Sequence, residues 1–69
     1  MPWDAKYVKY ALAKADGKTV KVHKDQYNYA PINVGETVTM AVWAGDELNV
    51  FLASGKVRRY RDQYNYRVV

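Results

Sequence analysis

The residues of this sequence best equipped for chemistry are the cations of one short run, Lys56, Arg58, Arg59 and Arg61, with Tyr60 among them. Guanidinium and ammonium groups neutralise phosphates, and release of condensed counterions then drives binding that is salt-dependent and indifferent to base sequence. On a strand Arg59 and Arg61 share one face and Arg58 and Tyr60 the other, so one ligand cannot meet all of them. The competing explanation is an edge strand whose charge protects it from aggregation. Lys18, Lys21 and Lys24, on an earlier run of similar pattern, are candidates for the same surface. Tyr27 and Tyr64, together with Trp43 and Phe51, are candidates for stacking on exposed bases or for anchoring a protein partner. Tyrosines at the corners of small β domains also close cores with the hydroxyl at the rim, which is the alternative for Tyr27, Tyr29, Tyr64 and Tyr66.

Other chemistries find little footing. His23 has no evident nucleophile or orienting group, so no catalytic set is expected and the protein reads as a non-enzyme. Turn and strand-end roles account for Asp25, Asp46 and Asp62, and with Glu36 and Glu47 they call for no metal site. Gly17, Gly35, Gly45 and Gly55 stand singly at turns instead of forming a phosphate loop. The chain has no cysteine, hence no disulfide framework and no structural zinc site; no cofactor is expected. No apolar run is long enough to cross a membrane and the N-terminus does not resemble a secretory signal, so the expectation is a soluble intracellular protein.

The net charge of +4 conceals a partition. Residues 1–24 carry six lysines against Asp4 and Asp16. Residues 25–52 have no lysine or arginine and hold Asp25, Glu36, Asp46 and Glu47. Lys56, Arg58, Arg59, Arg61 and Arg67 then face only Asp62. If the first and last thirds meet, they make one basic surface, the footprint of a polyanion binder.

A scaffold for these side chains is legible between Tyr27 and Arg61. A chain of 69 residues forms one domain that buries about 60% of its unfolded surface. Val38, Met40 and Val42 alternate with Thr37, Thr39, Ala41 and Trp43, a strand period, and Leu48, Val50 and Leu52 continue it. The two sets share a face only if the connection around Gly45 and Asp46 holds an odd number of residues, which predicts a three-residue hairpin loop. The expected core is Val20, Val22, Val38, Met40, Val42, Leu48, Val50 and Leu52. Pro31 and Gly35 bracket a loop before the longest strand.

Residues 1–17 support two readings. Asp4 can cap a helix in which Val8, Ala11, Leu12 and Ala15 fall at helical spacing, with Gly17 closing it. Val8, Tyr10 and Leu12 also alternate, and Asp16-Gly17 is a hairpin turn leading into Thr19–Lys24. A repeat favours the strand: Asp-Gln-Tyr-Asn-Tyr occurs at 25–29 and again at 62–66, each copy following a Gly-Lys turn and a basic residue. Residues 15–29 echo residues 53–66 with a one-residue gap. Two similar hairpins about a central strand predict an all-β fold, a small five-stranded SH3-like barrel, with both copies at equivalent strand ends.

The run from Val20 to Arg61 resembles the β-barrel domain that follows the catalytic core in Mu-type and related insertion-sequence transposases. The similarity rests on a strand ending near Tyr27, Pro31, Val34-Gly35-Glu36-Thr37-Val38, a hydrophobic strand, a short acidic turn, Val50-Phe51, a Ser-Gly-Lys turn and the basic run Val57–Arg61. The C-terminal barrel of retroviral integrases is similar more distantly. The resemblance implies sequence-independent DNA binding and help in assembling a synaptic complex. A three-carboxylate catalytic core does not fit in this length, so an excised domain or a stand-alone relative is expected. The alternative is a protein-interaction module of a small phage or mobile-element protein working through Trp43, Phe51 and tyrosines. Homo-oligomers paired through the tyrosine-rich segments are a further option.

Overall fold

The computed structural model describes residues 2–69. Asp4 opens the first element: its carboxylate accepts the Lys6 N–H at 2.9 Å and caps helix α1 (Ala5–Tyr10). So short a helix has too few internal bonds to stand alone; this one is held by Tyr7 and Val8 packing on the core. It stops at Ala11, whose φ of 57° is left-handed and turns the chain into β1 (Leu12–Asp16). The strand expected over the N-terminal segment is thus corrected in its first half. The cap and the half-buried Tyr7 and Val8 of α1 win as far as Tyr10, and pairing across the Asp16-Gly17 turn wins from Leu12 onward.

β1 pairs with β2 (Thr19–His23), and β2 with β3 (Tyr29–Asn33), in one antiparallel sheet. β4 (Val38–Ala44), β5 (Glu47–Leu52), β6 (Val57–Tyr60) and β7 (Tyr66–Val68) form the second sheet in that order, again antiparallel. Seven strands in sheets of three and four replace the five expected, and no barrel closes among the described residues. The reason lies in the repeat. Each Asp-Gln-Tyr-Asn-Tyr reverses the chain instead of ending it, so each copy adds one more strand, β3 or β7. β1 lies beside β4, while an open cleft of about 460 Å³ lies between β3 and the β6–β7 hairpin, lined by Pro31, Val34, Arg58 and Tyr66 among others.

The core sits between the sheets. Val20, Val22, Ala30 and Ile32 come from the first, Val38, Leu48, Val50, Leu52 and Tyr60 from the second, Val34 from the connection, and Trp3 from the N-terminus. Two expected core residues are outside it: Met40 is 49% and Val42 43% exposed. Ala44 pairs with Glu47 across a two-residue turn, Gly45-Asp46, in which Gly45 has the positive φ of 64° that tight hairpins require. An even loop puts Ala41 and Trp43, not Met40 and Val42, on the face of Leu48 and Val50. Thr39 then bulges between Val38 and Met40, returning Val38 to the core opposite Leu52, and its hydroxyl donates to the Phe51 carbonyl at 3.1 Å. The odd residue that parity demands is in the strand, not in the loop.

Candidate functional site

Both copies of the repeat fold into the same turn. Asp25 Oδ1 accepts the N–H groups of Tyr27 and Asn28, each at 2.8 Å, and the Asn28 side-chain amide at 3.0 Å. Asp62 Oδ1 accepts Tyr64 and Asn65 N–H at 2.8 Å and the Asn65 amide at 3.0 Å. The same backbone bond closes each turn, Lys24 N–H to the Asn28 carbonyl and Arg61 N–H to the Asn65 carbonyl, both at 3.1 Å, and the first turn adds a longer one from Asp25 N–H at 3.5 Å. These donors hold the Asp25 carboxyl below its ordinary pKa, the Asn28 amide contributing most. Asp62, with Asn65 as its largest influence, is held further below. In each turn the central tyrosine projects from the tip, Tyr27 83% and Tyr64 80% exposed. Lys24 and Arg61, each just ahead of its turn, are exposed as well.

Residues 2–10 span the distance between the turns. Trp3 N–H donates to the Arg61 carbonyl at 3.1 Å and its indole Nε1 to the Tyr60 carbonyl at 3.2 Å. Its ring meets Tyr7 and Trp43 edge to face, with centroids 5.5 and 5.6 Å away. A groove of about 370 Å³ lies between Pro2, Trp3 and Tyr7 on one side and Tyr64 on the other. At the far end of α1, Lys6, Lys9, Tyr10 and Lys24 line a shallower hollow of about 230 Å³. One end of the molecule therefore carries two tyrosine tips, a helix with exposed lysines, and a cation beside each tip.

A second basic feature lies on the outer face of the β4–β7 sheet. Arg59 and Arg67 are cross-strand partners, and with Arg61, Asn65 and Tyr66 they surround a hollow of about 230 Å³. Arg59 Nε donates to Asn49 Oδ1 at 2.9 Å, and Arg67 makes a two-pronged pair with Glu47 at 3.2 Å. Arg61 has no acidic partner among the described residues.

Several residues singled out in the sequence have other employment. Tyr60 is 2% exposed and belongs to the core. Arg58 points into the open cleft: it donates to the Val34 carbonyl at 3.1 Å, to Tyr60 Oη at 3.3 Å and to Glu36 at 2.9 Å, with Tyr66 stacked beneath it at 4.5 Å. Its charge is spent inside the molecule. Trp43 is half-buried against Trp3 and not a free anchor, because the two-residue β4–β5 turn points it inward. Lys21 pairs with Asp16 at 3.3 Å and lies over Tyr29 at 5.3 Å. Phe51 is half-buried on the outer face, opposite Met40. Lys18 and Lys56 lie at the other end of the molecule, where the β1–β2, β3–β4 and β5–β6 connections meet through Val34 N–H to Lys18 O at 3.0 Å and Ala53 N–H to Thr37 O at 2.9 Å. The basic first and last thirds do meet, through Trp3 and Arg61, but their cations are spread over the two ends, the outer face of the β4–β7 sheet and the cleft.

Lys6, Lys9, Tyr10 and Arg67 had gone unnoticed as candidates. The i, i+3 spacing of Lys6 and Lys9 carries the signal once α1 is a helix, and the match of Arg67 to Arg59 follows only from the β6–β7 register. Comparison with protein-family models, curated proteins and solved structures finds no match for the chain.

Proposed function

We propose that the protein is a non-catalytic, intracellular nucleic-acid-binding module that holds DNA by its phosphates, without base preference. The observation that carries this reading is the arginine hollow of Arg59, Arg61 and Arg67. Like charges gathered around a cavity repel one another unless an anion enters it, and of the three only Arg67 is paired with an acid, Glu47. The resemblance of Val20–Arg61 to the transposase barrel supports the same reading, since its final basic strand matches the run that contributes Arg59 and Arg61. The finer description of the fold as an opened SH3-like barrel draws support from β1 lying beside β4, with β3 and β7 as the parted edges.

The test is a titration of labelled duplex DNA across a range of salt concentrations. Replacing Arg59, Arg61 and Arg67 by alanine is expected to weaken binding to all sequences alike and to flatten log K against log salt by roughly 0.9 per lost phosphate contact. Absence of salt-sensitive binding by the parent to duplex and single-stranded DNA alike at low ionic strength removes the reading. A second reading, a protein-docking module, is favoured by the outer row of Met40, Phe51 and Val57 with exposed Val42 beside it. It predicts instead that Val42→Asp abolishes partner capture and that the arginine variant alters mainly the on-rate.

A further inference from the structure

The phosphate reading leaves two features unused, the tyrosine tips and the lysines of α1. A tyrosine more than three-quarters exposed adds almost nothing to a core, yet Tyr27 and Tyr64 are each mounted on a turn braced by an aspartate, an asparagine and a closing backbone bond. Such bracing fixes the ring's base in space, so little conformational freedom remains to be lost when a flat ligand stacks on it. Tyr64 stands beside a groove, and the turn that carries Tyr27 borders another through Lys24. Tyr64 forms one wall of the hollow it shares with Pro2, Trp3 and Tyr7, an aromatic slot open to solvent that Asp4 and Asp62 also line, so it suits a base face and not a phosphate. Lys24, at the foot of the first turn, shares its hollow with Lys6, Lys9 and Tyr10. Among the described residues none of Lys6, Lys9 and Lys24 forms an ion pair, although the charge of Lys24 helps to hold the neighbouring Asp25 ionised. The order along this end is aromatic slot, helix lysines, cationic hollow, second aromatic tip.

Resting on the phosphate-binding reading, we infer that this end of the molecule is a track for single-stranded nucleic acid: bases stack on Tyr27 and Tyr64, and Lys6, Lys9, Lys24 and Arg61 hold the phosphates between them. Duplex DNA hides its base faces inside the stack and offers phosphates alone, so it has no use for projecting rings. A single strand offers both, in alternation along its backbone, and stacking is tolerant of sequence because every base has a π-face.

Three labelled probes of equal length test this: an oligothymidylate, an abasic deoxyribose-phosphate oligomer and a duplex. The oligothymidylate is expected to bind tightest. Tyr27→Ala and Tyr64→Ala should each weaken it about five- to a hundredfold, Tyr→Phe at either position should restore it, and abasic binding should be unmoved by all four substitutions. Lys6→Ala with Lys9→Ala should lower the affinity of oligothymidylate and abasic oligomer alike. Equal, salt-sensitive binding of oligothymidylate and abasic oligomer overturns the track while phosphate binding stands. Duplex binding that is tighter than single-strand binding and indifferent to both tyrosines overturns it too. If none of the probes binds even at low salt, the phosphate reading falls and the track with it. Because both tips are exposed, an unchanged melting curve for the alanine variants assigns any loss to binding.

Discussion

Residues 21–29 and 58–66 fold into the same hairpin turn and bury opposite faces of it. In both, the first residue lies over the ring of the ninth, Lys21 Nζ at 5.3 Å from Tyr29 and Arg58 Cζ at 4.5 Å from Tyr66. In both, the third residue packs on the same ring, His23 at 5.4 Å and Tyr60 at 4.9 Å. In the first copy this ladder of cation and rings lies on the outer, partly exposed face, and Val20, Val22, Ala30 and Ile32 on the other face make the core. In the second copy the ladder is the inner face: Tyr60 is buried, and Arg58 is enclosed by Val34, Glu36 and Tyr60.

The residues that make the difference are a cross-strand pair. Val22 pairs with Ala30 in the first copy, and Arg59 with Arg67 in the equivalent places of the second. Two arginines side by side cannot be buried without several kcal/mol of desolvation cost each, so their face turns to solvent and the opposite face must serve the core. That reversal also creates the arginine hollow. A turn sequence therefore specifies where the chain reverses, while the residues beside it specify which side is inside.

The comparison can be broken most severely at Val22. Val22→Arg places a charge at a fully buried site and is expected to abolish cooperative unfolding, because an unpaired buried charge costs several kcal/mol, a large part of a small domain's stability. Arg59→Val, on the outer face, should shift a urea melt by less than about 1 kcal/mol. Next in size, Tyr60→Ala should cost about 3–5 kcal/mol in the same measurement, the range for removing a core aromatic, whereas His23→Ala, its counterpart on the outer ladder, costs a small fraction of that. Arg58→Ala should then cost about 1.5–3 kcal/mol, the range for hydrogen bonds to a charged group. Its counterpart Lys21→Ala, with an exposed pair to Asp16, should cost about 0–1 kcal/mol. Equal losses at those two positions would show that the ladder's orientation has no energetic weight.

The turns themselves sharpen the comparison. Asp62 is buried and Asp25 is not, so Asp62→Ala should cost about 0.5–2 kcal/mol and exceed Asp25→Ala. Both carboxyls titrate below the ordinary value of 3.8 in the folded chain. Above that value they are ionised in both states and the stabilisation is complete. As pH falls through and below it, the unfolded chain takes up protons first and the stabilisation is lost. Asp62→Asn should therefore flatten the acid limb of stability against pH below about 3.8 more than Asp25→Asn does, as read by denaturation at a series of pH values. The smallest effect is at the tips: Tyr27→Ala and Tyr64→Ala should each leave stability within about 0.5 kcal/mol.

The parts of the molecule legible in the sequence are those governed by neighbours along the chain. The alternation of Thr19–His23 and of Leu48–Leu52, the turns at Gly17 and Gly55, the reversal at Gly45 though not its length, the charge partition and the repeat all rest on a period of two or on the backbone freedom of a few turn residues. Tyr27 and Tyr64 are candidates in the sequence as aromatics beside basic residues, and the structure leaves both exposed. What only the tertiary structure decided was the side on which each element is buried. The two-residue turn at Gly45-Asp46 exchanges Met40 and Val42 for Ala41 and Trp43, one extra residue at Thr39 returns Val38 to the core, and the Arg59–Arg67 pair reverses a hairpin whose turn is copied from the first. Trp3 joins the core because Arg61 and Tyr60 offer it carbonyls from the far end of the chain, and α1 persists because Tyr7 and Val8 find that same core. Parity along a strand is a local property, but its sign is set by whatever lies across the sheet, and no short stretch of sequence contains that partner.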